Sequence, residues 1–270
     1  MKNLTKRTLT GLVFTVTLVV SFVASQYSML AMIVLIAILC ITEHYNMAKV
    51  IEIRPLYAIG YIITLLIIAL SFLISKGIIP SESIILLIPL LSITFVIQLY
   101  HKHKKPIENI GYTFMAIIHV AIPLSLLIVL SQLGETYDHQ INLGIIFMIW
   151  ASDTFAYLVG MAIGQNPLFY RISPKKSWEG FVGGLLAALI LSQIIAKHWL
   201  ILTPLQWGVL SAIVSITGVW GDLVESMFKR AVNIKDSGNI LPGHGGVLDR
   251  FDSLLMVMPF AFTYVYLILT

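Results

Sequence analysis

The chain has 270 residues, 58% of them hydrophobic and only 11% charged, with a formal net charge of +4 and a mean hydropathy of +0.93. A soluble domain carries about a quarter charged residues, so this composition excludes a water-facing shell and makes lipid the solvent of much of the surface. Its single cysteine, Cys40, excludes a disulfide framework and a thiolate metal site. Cys40 lies in an apolar run and reads as a small core residue.

Apolar runs of the length a bilayer requires lie near 8–25, 28–43, 56–75, 81–99, 111–131, 142–164, 180–197, 205–228 and 252–270. The expected fold is all-α: a polytopic integral membrane helical bundle of about nine transmembrane helices. Alternating strands of the transmembrane-barrel kind are absent. No linker, repeat or second composition regime interrupts the chain. It therefore reads as one membrane domain over 1–270, with 1–140 as scaffold spans and 141–270 carrying the chemistry. Lys2, Lys6 and Arg7 before a first apolar run that ends in Val23-Ala24-Ser25 also resemble a signal peptide. The second apolar run follows at once, and we take the first as an uncleaved span. All but two of the 17 basic residues, Lys76 and Lys197, then fall on one side, which the positive-inside rule makes cytoplasmic. The His101–Lys105 run (HKHKK) reads as a solvated loop facing lipid headgroups.

Span six, in WASDTFAYLVG, holds Asp153 at mid-membrane depth, where an acid is functional or paired by default. The loop RISPKKSWEGFVGG sets Lys175 and Lys176 just before span seven, and cations at a helix N-terminus make an anion site. In GVWGDLVESMFKR, spacings of three and four put Asp222, Glu225, Ser226 and Lys229 on one helical face. That face could equally be a buried ion pair joining two helices.

The next segment packs Arg230, Lys235, Asp236, His244, Asp249, Arg250 and Asp252 around Gly238, Pro242, Gly243, Gly245 and Gly246. Glycines let backbone N–H groups converge on an anion. Asp249 and Asp252 sit near the start of the last helix, where its dipole favours negative charge and where Asp252 could act as the cap. His244 reads first as a phosphate donor, with a base or a turn residue as the other roles. Carboxylates with no thiolate nearby favour Mg²⁺ over zinc, with Asp222 and Asp249 as a plausible pair.

The run Ser226-x-x-Lys229-Arg230-x4-Lys235-Asp236, followed by Pro242-Gly243-His244-Gly245-Gly246-x-x-Asp249-Arg250-x-Asp252, resembles the signature of the phosphatidate cytidylyltransferase (CDP-diacylglycerol synthase) family. Asp153-x-x-Ala156-Tyr157 and Ser173-Pro174-Lys175-Lys176-Ser177-x-Glu179-Gly180 resemble family motifs as well. One departure is visible: a Gly-Arg-x-x-Gly-Lys pattern is usual after the Tyr motif, and here Met161 and Gln165 replace the two cations.

The resemblance implies CMP transfer from CTP to phosphatidic acid, giving CDP-diacylglycerol and pyrophosphate, as part of phospholipid biosynthesis. It implies Mg²⁺, with a second, monovalent cation left open, and a bacterial inner membrane with the active site facing the cytoplasm. On this reading Asp222 and Asp249 hold the metal, while Lys229, Arg230, Lys235 and Arg250 bind phosphates. Asp236, His244 and Asp252 orient the loop or contact the nucleotide. Asp153, Lys175, Lys176, Ser177, Ser226, Gly245 and Gly246 complete the substrate site. No nucleic-acid partner is expected, and a homodimer is left open. The alternatives are a CTP-dependent lipid kinase of the dolichol kinase type and, from another class, a secondary transporter. A transporter usually shows internal repeats and broken helices, which the sequence does not.

Overall fold

A computed structural model describes residues 2–134, 136–238, 240 and 245–269. Among them are ten helices: α1 (Lys2–Ala24), α2 (Gln26–Val50), α3 (Tyr57–Ser75), α4 (Leu87–Tyr100), α5 (Pro106–Ala116), α6 (Ile122–Leu130), α7 (Gln140–Ile163), α8 (Trp178–His198), α9 (Pro204–Ala231) and α10 (Leu248–Leu269). A 3₁₀ turn, Ser81–Leu86, leads into α4, and a π turn, Ile117–Ala121, joins α5 to α6. Eight helical stretches are long and apolar enough to cross a membrane, and α1 adds the shorter apolar piece Thr10–Ala24. The expected polytopic membrane bundle is borne out.

Two features depart from the sequence reading. Residues 167–177 form a small antiparallel hairpin, β1 (Pro167–Phe169) and β2 (Ser173–Ser177), with an irregular register between Pro167 and Phe169. The fifth span begins at Pro106 and is broken by the π turn. Pro123, which lacks an N–H and whose ring crowds the carbonyl four residues earlier, follows directly on that turn, and widening the helix there relieves the clash.

The chain packs as two compact units. Unit 1 comprises Met1–Tyr137 and Val232–Arg250; unit 2 comprises Asp138–Ala231 and Phe251–Thr270. In unit 1, Ser25 is extended and caps α2, accepting from Ser28 N at 3.1 Å, while Ser28 Oγ donates to Ser21 O of α1 at 2.8 Å. One face of α2 buries Met29, Ile33, Ala37, Cys40 and Ile41 completely, so Cys40 is the core residue that its setting predicts. Higher on α2, His44 Nε2 lies 3.1 Å from His119 Nδ1 in the π turn.

In unit 2, Ser177 ends β2 and caps α8, accepting from Gly180 N at 3.1 Å. Helices α7 and α8 meet through small residues, Gly184 resting on the Ser152 backbone. Close approach of this kind is how helices associate where lipid removes the hydrophobic drive. Helix α9 passes α10 at Gly221, where an added Cβ would strike the Asp252 carbonyl and stand 2.9 Å from both Met256 Cβ and Ser253 Cα. Backbone cannot give way as a side-chain tip can, so Gly221→Ala should destabilise the protein by about 1–3 kcal/mol. A lowered thermal midpoint in detergent checks this, and an unchanged midpoint would show that α9 and α10 do not pack this closely.

Candidate active site

The residues singled out in the sequence fall into two constellations, one in each unit. In unit 2, strand β2 delivers Lys176. Successive strand residues point to opposite faces: Lys175 is exposed, while Lys176 turns the other way and makes a direct ion pair with Asp222 Oδ2 on α9. Ser226, one helical turn along α9, donates from Oγ to Asp222 Oδ1 at 3.2 Å. Both Asp222 oxygens are thus oriented, yet the Lys176 and Asp222 side chains keep 27% and 36% of their surface exposed. That leaves the carboxylate reachable by a ligand.

The same face of α9 continues with Glu225, fully buried, and Lys229, whose Nζ is 3.4 Å from Glu225 Oε1. From α10, Asp252 faces this pair, close enough to feel the charges of Asp222 and Lys229. Three acids and two lysines therefore share one neighbourhood, an arrangement suited to polyanionic substrates and cations rather than to a single structural ion pair. The capping role open to Asp252 is not observed. Helix α10 starts at Leu248, so Asp252 lies inside it, and its Oδ1 accepts from Ser253 N at 2.8 Å.

Asp153 is exposed on α7, and Arg230 is exposed at the end of α9. Ser177 has a local task, the α8 cap. Glu179 organises the stretch where the two family cations are missing: its carboxylate accepts from Gln165 N at 3.2 Å and from Asn166 Nδ2 at 2.6 Å.

In unit 1, the loop between α9 and α10 is held by two carboxylates. Asp249 Oδ2 accepts from Ser237 N at 3.0 Å and Gly246 N at 2.8 Å, which closes the loop on the first turn of α10. Gly245 adopts φ +82, a left-handed conformation open to glycine at little cost. The second carboxylate was not foreseen: Glu43 of α2, only 2% exposed. Its Oε1 accepts from Val247 N at 2.9 Å, and its Oε2 from Leu248 N at 2.8 Å and Ser237 Oγ at 2.9 Å. A buried anion here satisfies donors at the start of α10 and meets the positive end of its dipole. Gly246 is part of the same fit, since a Cβ there would collide with Ser237 Oγ and Glu43. The signal for Glu43 was an acid near the end of an apolar run, ITEHYNMAKV, which marks function by default.

Lys235, Asp236 and Arg250 are exposed around this braced loop. His244, Pro242 and Gly243 lie outside the described residues.

A glycine-rich loop braced by two carboxylates, and a lysine–aspartate cluster at the end of a long apolar helix, are features expected of an integral membrane enzyme that handles phosphates. The sequence model of the cytidylyltransferase family matches residues 5–268, nearly the whole chain, and the chain belongs to that family. It is a nucleotidyltransferase. The phosphatidate cytidylyltransferase of Bacillus subtilis (strain 168) is 39% identical over 196 residues, covering 71% of this chain and 70% of that protein. That of Staphylococcus saprophyticus is 37% identical, covering 63% of this chain and 65% of its own. That of Rickettsia bellii is 36% identical, covering 57% and 69%. The family resemblance read from residues 153–252 is borne out.

Proposed function

We propose that the chain transfers CMP from CTP to phosphatidate, giving CDP-diacylglycerol and pyrophosphate, at the cytoplasmic face of a bacterial inner membrane in phospholipid biosynthesis. The observation that carries this reading is the Lys176–Asp222–Lys229 constellation at the end of a membrane helix, in a chain whose relatives bear that enzyme's name. An oxygen of the lipid phosphate attacks the α-phosphorus of CTP. A new P–O bond forms, and the bond from that phosphorus to the oxygen bridging it to the β-phosphorus breaks, its electron pair leaving on pyrophosphate. The nucleophile is already an anion, so no strong base is needed. The work of the site is to gather two polyanions and offset the charge on the leaving group.

Each residue then has a task. Lys176 orients Asp222 and offsets charge beside it. Lys229 and Arg230 receive phosphates in unit 2, as Lys235 and Arg250 do in unit 1. The braced loop presents Gly245 and Asp236 to the nucleotide, Gly246 fixes its fold, and His244 keeps the nucleotide role expected from the sequence. Asp153 and Lys175 line the approach of substrate.

The donor set is oxygen-rich and without thiolate, which fits a hard cation such as Mg²⁺. Among the described residues no three or more His, Cys, Asp or Glu side chains are arranged to hold a metal by themselves. Mg²⁺ commonly takes one or two carboxylates and completes its shell with water and substrate phosphates. We assign Asp222 as a carboxylate for the ion in unit 2, and Asp249 stands as the candidate carboxylate of unit 1; a bound ion would offset phosphate charge.

CTP labelled separately at the α- and γ-phosphates tests the reaction. With purified protein, phosphatidic acid and Mg²⁺, α-label should enter lipid and γ-label should leave as pyrophosphate. Transfer of γ-label to an added lipid alcohol would overturn the reading in favour of a lipid kinase.

A further inference from the structure

Unit 1 holds a cavity that shares no residue with the proposed reaction. Its walls are two links at the ends of membrane helices, residues 51–56 between α2 and α3 and residues 101–105 between α4 and α5. Each link contains a non-glycine residue in the left-handed region, Glu52 at φ 61 and Lys105 at φ 64. Such conformations persist where the surroundings over-determine them. Here Lys105 Nζ donates to Ile51 O at 2.9 Å, and Arg54 N donates to Asn109 Oδ1 at 2.8 Å. Asn109 Nδ2 in turn donates to Lys104 O at 3.2 Å, and Leu56 N to Thr113 Oγ1 at 2.9 Å. Asn109 and Thr113 are fully buried, so the two links are fixed to one frame.

The cavity between them has a volume of about 1020 Å³. Lys49, Arg54, Lys102 and Lys104 line it with His101 and His103, against one acid, Glu52. Among the described residues none of these four cations is in a salt bridge. Lys49 Nζ sits 4.6 Å from the centre of the Tyr57 ring. Four cations around a preformed hollow call for an anion with several oxygens. Ile59 and Ile97 add apolar lining.

A second cavity of about 670 Å³ runs along the same helices. It is lined by Ile67, Leu70 and Ile74 of α3, Leu91 and Phe95 of α4, and Phe114 of α5. Leu56 and Ile59 of the basic cavity and Ile67, Leu70 and Ile74 of the apolar one lie at spacings of three and four about the buried Ile63. They share one side of α3. A basic hollow at the end of the spans and an apolar groove farther along the same helices match the two parts of an amphiphile with an anionic head. Leu99, Tyr100 and Ile107, each more than 80% exposed, flank the basic run with the apolar side chains of a membrane boundary.

We propose that unit 1 binds one anionic diacyl phospholipid of the surrounding membrane, its headgroup phosphate among Arg54, Lys102 and Lys104 and an acyl chain in the groove between α3 and α4. Native mass spectrometry of the full chain, in detergent doped with dioleoyl-phosphatidylglycerol or dioleoyl-phosphatidylcholine, tests this. The parent protein should retain phosphatidylglycerol in preference to phosphatidylcholine. Equal retention of the two would overturn the proposal without any variant. The triple variant Arg54→Gln, Lys102→Gln, Lys104→Gln changes exposed side chains only and should weaken phosphatidylglycerol binding at least tenfold, since each headgroup-level cation attracts the anionic lipid. Ser92→Leu, which adds bulk in the groove from an exposed position, should weaken it as well. Undiminished binding in the triple variant would sink the headgroup assignment, and loss in the triple variant alone would sink the acyl groove. Displacement of the lipid by millimolar inorganic phosphate would make the cavity a free-anion site instead.

Discussion

Asp222→Asn should lower nucleotidyl transfer by about a thousandfold or more and leave the protein inserted and folded. Loss of a group that offsets or directs charge in a phosphoryl transition state costs factors of this size. Stability should hardly change. Asparagine keeps an oxygen for Ser226 Oγ, and the Lys176–Asp222 ion pair is partly exposed on both sides, where such pairs contribute less than about 1 kcal/mol. Steady-state turnover beside a thermal-unfolding curve separates the two effects. Turnover within tenfold of the parent would remove Asp222 from the metal assignment and with it the centre of the proposed site.

Glu43→Ala should be damaging in the opposite sense, through structure first. It strips the acceptor from Val247 N, Leu248 N and Ser237 Oγ together. A buried donor left without a partner costs about 1–3 kcal/mol. The three are coupled, and breaking a buried charged network as a whole costs about 3–5 kcal/mol. The loop carrying Lys235, Asp236, Gly245 and Gly246 then loses its brace, so activity should fall at least a hundredfold even below the unfolding temperature. Glu43→Gln should be intermediate, because its carbonyl can serve one side while its amide faces a donor on the other. A Glu43→Ala enzyme with the parent's thermal midpoint and turnover would show that the loop needs no support from α2.

The two experiments probe residues of unequal legibility. Asp222 announced itself through spacing: acid, acid, serine and lysine at intervals of three and four in an otherwise apolar helix admit one shared face. The Lys176 ion pair was only half visible. The sequence set two adjacent lysines before span seven, but which one turns toward Asp222 depends on the β2 strand, where neighbours point oppositely. Ser177, expected at the substrate, caps α8, because a serine that precedes a helix finds its own backbone donors first.

Composition and hydrophobic run length alone determined a helical membrane protein, because every backbone polar group in lipid must be satisfied within a helix. The charged, glycine-rich stretch from Ser226 to Asp252 carried the family resemblance, and its dense set of polar types at set intervals marked it as chemistry and not packing. Tertiary structure decided what braces that stretch. Glu43 is more than two hundred residues from the amides it holds, and no local periodicity encodes a partner that distant. It also decided how the signature divides, with Asp249 and Arg250 packed in one unit and Asp252 in the other along a single helix. Spacing along a chain dictates which residues share a face; which surface that face meets is settled by packing.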